Sequence, residues 1–343
     1  MRTHRRTIFL LLAAGPLAVV AACGSRTGLL VPVEHDAGVA DSGGEAADAF
    51  DSTLPDVAEE PDAVEEPDAI EEPDTFIPFD APDECPDAGS TLIYVITTAN
   101  VLMSFYPPTA TFNTIGTISC PDPGSQPFSM AVTRGGIAYV LFQDGNLFQV
   151  STKTAACQPT PFNPTQGVFP TPFGMGYSAD MSDAGPINDG GETLYLAGDP
   201  GGVMAIGQNP VVLGSLDTTT FLSHPIATVT PPIFASELTG TGSGQLFGFY
   251  LNAPIGGSMA ATIGQIDKTT GHVTMSTNLP AINIAGGWAF AFWGGDFYTF
   301  TAPDMADTVV QRYRPSDGSV VTVAGLTGLE VVGAGVSTCA PQM

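Results

Sequence analysis

Three carboxylates stand where a chain of strands could aim them at a common centre. Glu237 and Glu330 each open a strand-like run of small residues, and Asp180 trails another. Paired inward carboxylates can serve as acid and base on a glycosidic bond. Asp180, Asp183, Asn188, Asp189 and Glu192 crowd one segment with the oxygen ligands Ca²⁺ takes. An EF-hand loop needs Glu at its twelfth position, and here Gly191 falls there, so a solvated loop is the simpler reading. Gly256-Gly257-Ser258-Met259-Ala260 imitates a nucleophile elbow, but that motif needs a helix after the turn, and none is expected. His224 and His272 stand alone, and no Cys-x-x-Cys or paired-His spacing offers a metal site. Trp288, Phe290, Phe292 and Trp293 have the makings of a carbohydrate platform. Alternation at period two more simply puts the first three on one packed strand face. No residue is assigned a catalytic or metal-binding role on these grounds, and Ca²⁺ is only weakly indicated as a cofactor. Glu237, Glu330 and Asp180 remain as candidate lining of a funnel.

The elements that must position these residues are strands. After Cys85 the chain is rich in Gly, Thr, Val, Phe and Tyr, with turn residues at short intervals and almost no helical periodicity. One plan recurs: a small-residue strand, an aromatic-aliphatic strand, a third strand ending in a polar turn, then a fourth. Ser129–Val132, Ile137–Leu141 and Asn146–Val150 form the first unit. Phe173–Tyr177, Thr193–Leu196 and Gly202–Ile206 form the second. Glu237–Gly240, Gln245–Phe249 and Ile263–Ile266 follow, then Trp288–Phe292, Asp296–Phe300 and Val309–Tyr313. Starts near 129, 173, 237, 288 and 331 give spacings close to the ~40–50 residues of propeller blades. The last unit is split. Val331–Val336 reads as a first strand with nothing after it, and Leu92–Ile96, Val101–Phe105 and Thr114–Ile118 supply the missing three. A ring removes its exposed edges only by closing, and a blade shared between termini achieves that.

The expected fold is therefore all-β: a five-bladed β-propeller, with the last blade built from the N- and C-terminal parts of the domain. The Leu-Tyr-Val-like second strands and Asp-x-x-Thr-Gly turns resemble quinoprotein-like and NHL-type repeats over about 250 residues. The tryptophan docking motif of quinoprotein blades is absent, so their cofactor is not implied. Gly174, Gly176, Gly240, Ala289, Ala291, Gly333, Ala334 and Gly335 fit the crowding expected of innermost strands. A pair of β-sandwiches or a β-helix is the competing arrangement.

Upstream, the chain changes character. Of its 35 acidic residues, 20 lie between Glu34 and Asp87. The hexapeptide Glu59-Glu60-Pro61-Asp62-Ala63-Val64 recurs at Glu65 and Glu71. Proline every six residues forbids a continuous helix, and like charges with little apolar surface predict a disordered acidic linker. Before it, Arg2, Arg5 and Arg6 precede an apolar run from Ile8 to Ala22, too short for the ~20 residues of a spanning helix and matching a signal peptide. The run ends in Val20-Ala21-Ala22-Cys23, which resembles the lipobox of bacterial lipoproteins. That resemblance implies cleavage before Cys23 and acylation of its thiol. Several acyl chains make such anchoring effectively permanent, whereas one alone is reversible. Gly24 is no acidic inner-membrane retention residue, which favours the outer membrane, facing periplasm or cell surface.

The expected organisation is a signal peptide over 1–22, a lipidated, disordered linker over 23–86 and a propeller over 87–343. Four cysteines remain after Cys23. Of three possible pairings, the split blade favours Cys85–Cys339 to staple the ring, leaving Cys120–Cys157. A net charge of −26 repels phosphate backbones, so nucleic acid is not an expected partner. The expected role is a membrane-anchored cell-envelope lipoprotein presenting a propeller that binds a protein or glycan. The alternative is a glycosidase-like hydrolase or lyase using funnel carboxylates.

Overall fold

The computed structural model describes residues 91–343 except 123, 165–168, 170–171, 183–184, 187–190, 203–204, 258–259 and 285. The signal peptide, Cys23, the acidic linker and Cys85 lie outside the described residues.

The described chain forms five four-stranded antiparallel sheets arranged as a five-bladed β-propeller. The first blade comprises β4 (Pro127–Val132), β5 (Ile137–Phe142), β6 (Leu147–Ser151) and β7 (Cys157–Pro159). The second has the order β8 (Phe173–Ala179), β11 (Glu192–Gly198), β12 (Val212–Asp217) and β13 (Leu222–Thr228), with a small hairpin, β9 (Met181–Ser182) and β10 (Gly185–Pro186), inserted after β8. The third runs β14 (Phe234–Gly240), β15 (Leu246–Leu251), β16 (Ala260–Ile266) and β17 (Val273–Asn283). The fourth runs β18 (Trp288–Trp293), β19 (Asp296–Thr301), β20 (Thr308–Arg314) and β21 (Ser319–Leu326). The closing blade pairs β22 (Val331–Val336) with β1 (Ile93–Thr97), followed by β2 (Val101–Tyr106) and β3 (Thr111–Thr117). Its seam is an antiparallel ladder in which Ile93 faces Val336 and Val95 faces Ala334.

Each sheet feeds two cores, one on either face, because successive side chains of a strand point to opposite sides. On β18, Phe290 and Phe292 pack with Phe249 and Ile263 of the third blade and with Phe297 of their own. The intervening Ala289 and Ala291 pack instead with Phe105, Phe300 and Val331 towards the closing blade. On β1, Ile93 and Val95 join that same core, while Ile96 joins Leu102, Met130 and Phe148 on the other side. Five such cores fill the spaces between neighbouring blades.

The inner strands meet backbone to backbone. A Cβ on Gly176 would stand 2.7 Å from Leu238, and one on Gly335 would stand 2.9 Å from the Val132 nitrogen. Where β4, β8, β14 and β22 come together, around Gly176 and Gly335, the gap has no room for a water molecule.

Two features depart from the repeat plan. Gly202–Ile206 is not the third strand of the second blade; β12 takes that place. Asp199 explains the difference. Its carboxylate accepts the amides of Gly201 (2.8 Å), Gln208 (3.1 Å) and Asn209 (3.0 Å), folding the chain into a loop before β12. The outer strands β13 and β17 are mostly exposed, so they lack the near-continuous apolar burial that marks their inner neighbours.

Cys120 and Cys157 form a disulfide between the chain after β3 and the outer strand β7, joining closing and first blades at their periphery. Cys339 is also disulfide-bonded; its expected partner, Cys85, lies outside the described residues.

Candidate functional site

The starts of the five inner strands converge on one end of the ring and enclose a cavity of about 260 Å³. Every blade contributes: Phe128 from β4, Phe173 and Gly174 from β8, Glu237 from β14, Trp288 from β18 and Val332 from β22. Ile206 and Val211 from the loop before β12, and Ile255 from the loop before β16, complete an apolar rim. Asp199 and Glu237 are the acidic groups on its wall, and no described lining residue is basic.

Glu237 is 6% exposed. The Ser129 hydroxyl donates to its Oε2 at 2.7 Å, and the Met175 amide, which reaches Ser129 Oγ at 3.2 Å, also donates to the carboxylate. Burial drives its carboxyl well above the ordinary glutamate range, against the smaller opposing effect of those two donors; no charged neighbour contributes. The folded-state value is thus raised above the unfolded one. Stability linked to it is fully present below the unfolded value and is lost as pH rises through the folded one. Glu237→Gln should remove that loss. Its unfolding free energy relative to wild type should climb with pH, by at most about 1.4 kcal/mol per pH unit, and its relative melting temperature with it. Thermal melts over a pH series check this; parallel wild-type and variant curves would contradict it.

Asp199 is committed to the loop that follows it, since Asn209 Nδ2 donates to it at 2.9 Å in addition to the three amides. Glu330 sits at the seam between the fourth and closing blades. Its Oε1 accepts the Gly287 amide at 2.9 Å, and its carbonyl accepts the Thr98 amide at 2.9 Å.

Asp180 follows the far end of β8, away from the cavity. There it accepts the Thr193 hydroxyl at 2.7 Å. The same end of the ring is crossed by the C-terminal segment. Glu192 accepts the Arg134 amide at 2.6 Å and the Thr338 hydroxyl at 2.8 Å, and the Gly294 amide donates to the Pro341 carbonyl at 2.8 Å. Burial raises the Glu192 carboxyl; the Arg134 amide and Thr338 hydroxyl partly offset it. Of the acidic segment read as a loop, Asp183, Asn188 and Asp189 lie outside the described residues. Among the described residues no three His, Cys, Asp or Glu side chains gather as metal ligands.

Ser258 and Met259 of the elbow-like segment lie outside the described residues, and the turn before them leads into β16, not a helix. His224 lies on the outer strand β13, and His272 makes an isolated bridge with Thr230. Trp288 combines two roles. Its Nε1 donates to the Phe249 carbonyl at 3.1 Å, and its ring forms part of the cavity wall. Asp199, Ser129 and Ile255 were not distinguished by the sequence as site residues. Ser129 carried a faint signal, as a hydroxyl among apolar neighbours in an inner strand.

No family model and no curated protein matches this sequence. Among solved structures it is similar to Kuenenia stuttgartiensis hydrazine synthase, at 15% identity and a TM-score of 0.35, covering 73% of this chain and 68% of that one. A likeness at that level carries no argument about activity.

Proposed function

We propose that this chain is a lipid-anchored protein of the cell envelope, and that its acidic segment holds a five-bladed propeller off the membrane as a binding module. The binding surface is the mouth cavity. The observation that carries this reading is the convergence of all five blades on one concave, mainly apolar space, the form ligand sites commonly take. A hydrolase or lyase would need two carboxylates working across the substrate. Glu237 is one, but Asp199 spends its oxygens on four donors of its own loop, which favours binding over bond cleavage.

Anchoring rests on Cys23, preceded by Val20-Ala21-Ala22, and the outer-membrane address rests on Gly24. Cys23→Ser should move essentially all of the protein from the detergent-extracted membrane fraction to the soluble fraction and abolish palmitate labelling. A variant that still sediments with membranes, or a wild type that takes up no label, would refute the anchor. Turnover of aryl glycosides by the purified protein, lost in Glu237→Gln, would favour the enzymatic alternative.

A further inference from the structure

We propose that the mouth cavity binds a small organic cation, a protonated amine on an apolar body, whose ammonium pairs with Glu237. This rests on the reading of the mouth as the binding site and adds the chemistry of the ligand.

The protein groups that reach the Glu237 carboxylate, the Ser129 hydroxyl and the Met175 amide, are both donors. Donors favour the ionised form, and an ionised carboxylate buried this deeply needs a cation. The protein supplies none. The elements packed around Glu237 present Ser129 on β4, Met175 on β8, Phe249 on β15 and Trp288 on β18, none of them charged. The other ionisable group on the cavity wall is Asp199, which is also acidic, and no described lining residue is Lys, Arg or His. A ligand that brings a positive charge would therefore supply the counter-charge an ionised Glu237 lacks within this cavity. Aromatic faces attract cations, and Phe128, Phe173 and Trp288 line the same space. Ile206, Val211 and Ile255 fit an apolar body. An anion would meet two acids and no base. A folded partner cannot enter about 260 Å³.

The cation hypothesis fixes the sign of the pH dependence. In the empty cavity burial pushes the Glu237 carboxyl up, towards its protonated form. Binding an ammonium expels that proton, so affinity rises with pH until Glu237 is ionised, then falls when the amine loses its own proton. A neutral ligand accepting a hydrogen bond from the protonated acid would show the opposite, weakening as pH rises through the Glu237 value.

Three probes of similar size make the test: phenethylamine, phenethyl alcohol and hydrocinnamate, titrated calorimetrically into the full chain over a pH series and in buffers of different ionisation heat. Phenethylamine should bind about tenfold or more tightly than the other two, consistent with a charged hydrogen bond, and should release a proton at acidic pH. Glu237→Gln should cost about tenfold and abolish the release. Ile255→Lys, at a rim position 39% exposed, should weaken the amine by charge repulsion while melting with wild type. Equal or tighter binding of the alcohol, or amine binding indifferent to Glu237→Gln, would overturn the cation proposal and leave the binding module standing. Failure of all three probes at this site would count against both. Binding of a lysine-bearing peptide at the exclusion of free phenethylamine would overturn the small-molecule assignment.

Discussion

A chain ended after Leu329 will not form a cooperative propeller. The missing segment is the inner strand of the closing blade, β22, with the residues that cross the far end of the ring. Its loss strips β1 of the partner that faces Ile93 to Thr97 and leaves that edge open. It also removes Val331, Ala334 and Val336 from a core they share with Phe105, Ala289 and Phe300. Fully burying one valine contributes roughly 1.5–3 kcal/mol, and a domain holds only about 5–15 kcal/mol in all. The two valines alone represent a large share of that. Thr338 leaves Glu192 with one donor fewer in a buried place, and the disulfide of Cys339 disappears. Circular dichroism should show no cooperative thermal transition for the truncated chain. A melt within a few degrees of the full-length protein would mean the ring does not depend on its seam.

The largest effect of a single substitution should come from Gly174→Ala. The new methyl would overlap the Ser236 carbonyl oxygen and stand 2.8 Å from Glu237 Cα and 2.9 Å from the Ser236 carbonyl carbon. These are backbone atoms of the adjacent inner strand, so no side chain can swing aside. Overpacking of this kind costs about 1–3 kcal/mol, occasionally more. At about 2–4 °C per kcal/mol for a domain of this size, melting should fall by about 5–10 °C. Gly124→Ala is the matched control, since nothing lies within 4 Å of its Cβ position. The effect should extend to ligand binding, because Gly174 and Glu237 share the cavity wall. A Gly174→Ala protein that melts with wild type would show that β8 and β14 are not locked as tightly as their backbone contacts require.

Much of this architecture was legible before any coordinates. A recurring plan of apolar strands separated by turn residues located the inner three strands of most blades, and small residues at 174, 176, 240, 333 and 335 marked where strands crowd an axis. The split unit at the two ends of the domain pointed to the closing ladder between β22 and β1. These signals are local, or arise from a repeat, and so survive in one dimension. The outer strands were harder to see because they face solvent and need no apolar pattern. The third strand of the second blade was displaced for a different reason: Asp199 organises a loop through backbone amides, and any sequence there can donate an amide.

The sequence alone determined that this chain is built from repeated antiparallel sheets, that the two ends of its domain belong together, and that Cys23 follows a lipobox-like run. These depend on residue type and spacing. Only the tertiary structure decided what the acidic residues do. Glu237, Glu330 and Asp180 looked equivalent as polar residues at inner-strand ends. Folding buried Glu237 beside the mouth with two donors, tied Glu330 to the Gly287 amide, and carried Asp180 to the other end of the ring. A buried carboxylate's environment is set by residues distant in the chain, 108 residues away for Ser129 and Glu237 and 146 for Thr338 and Glu192. Burial and hydrogen-bond partners of that kind are properties of the packed ring and have no local signature in the chain.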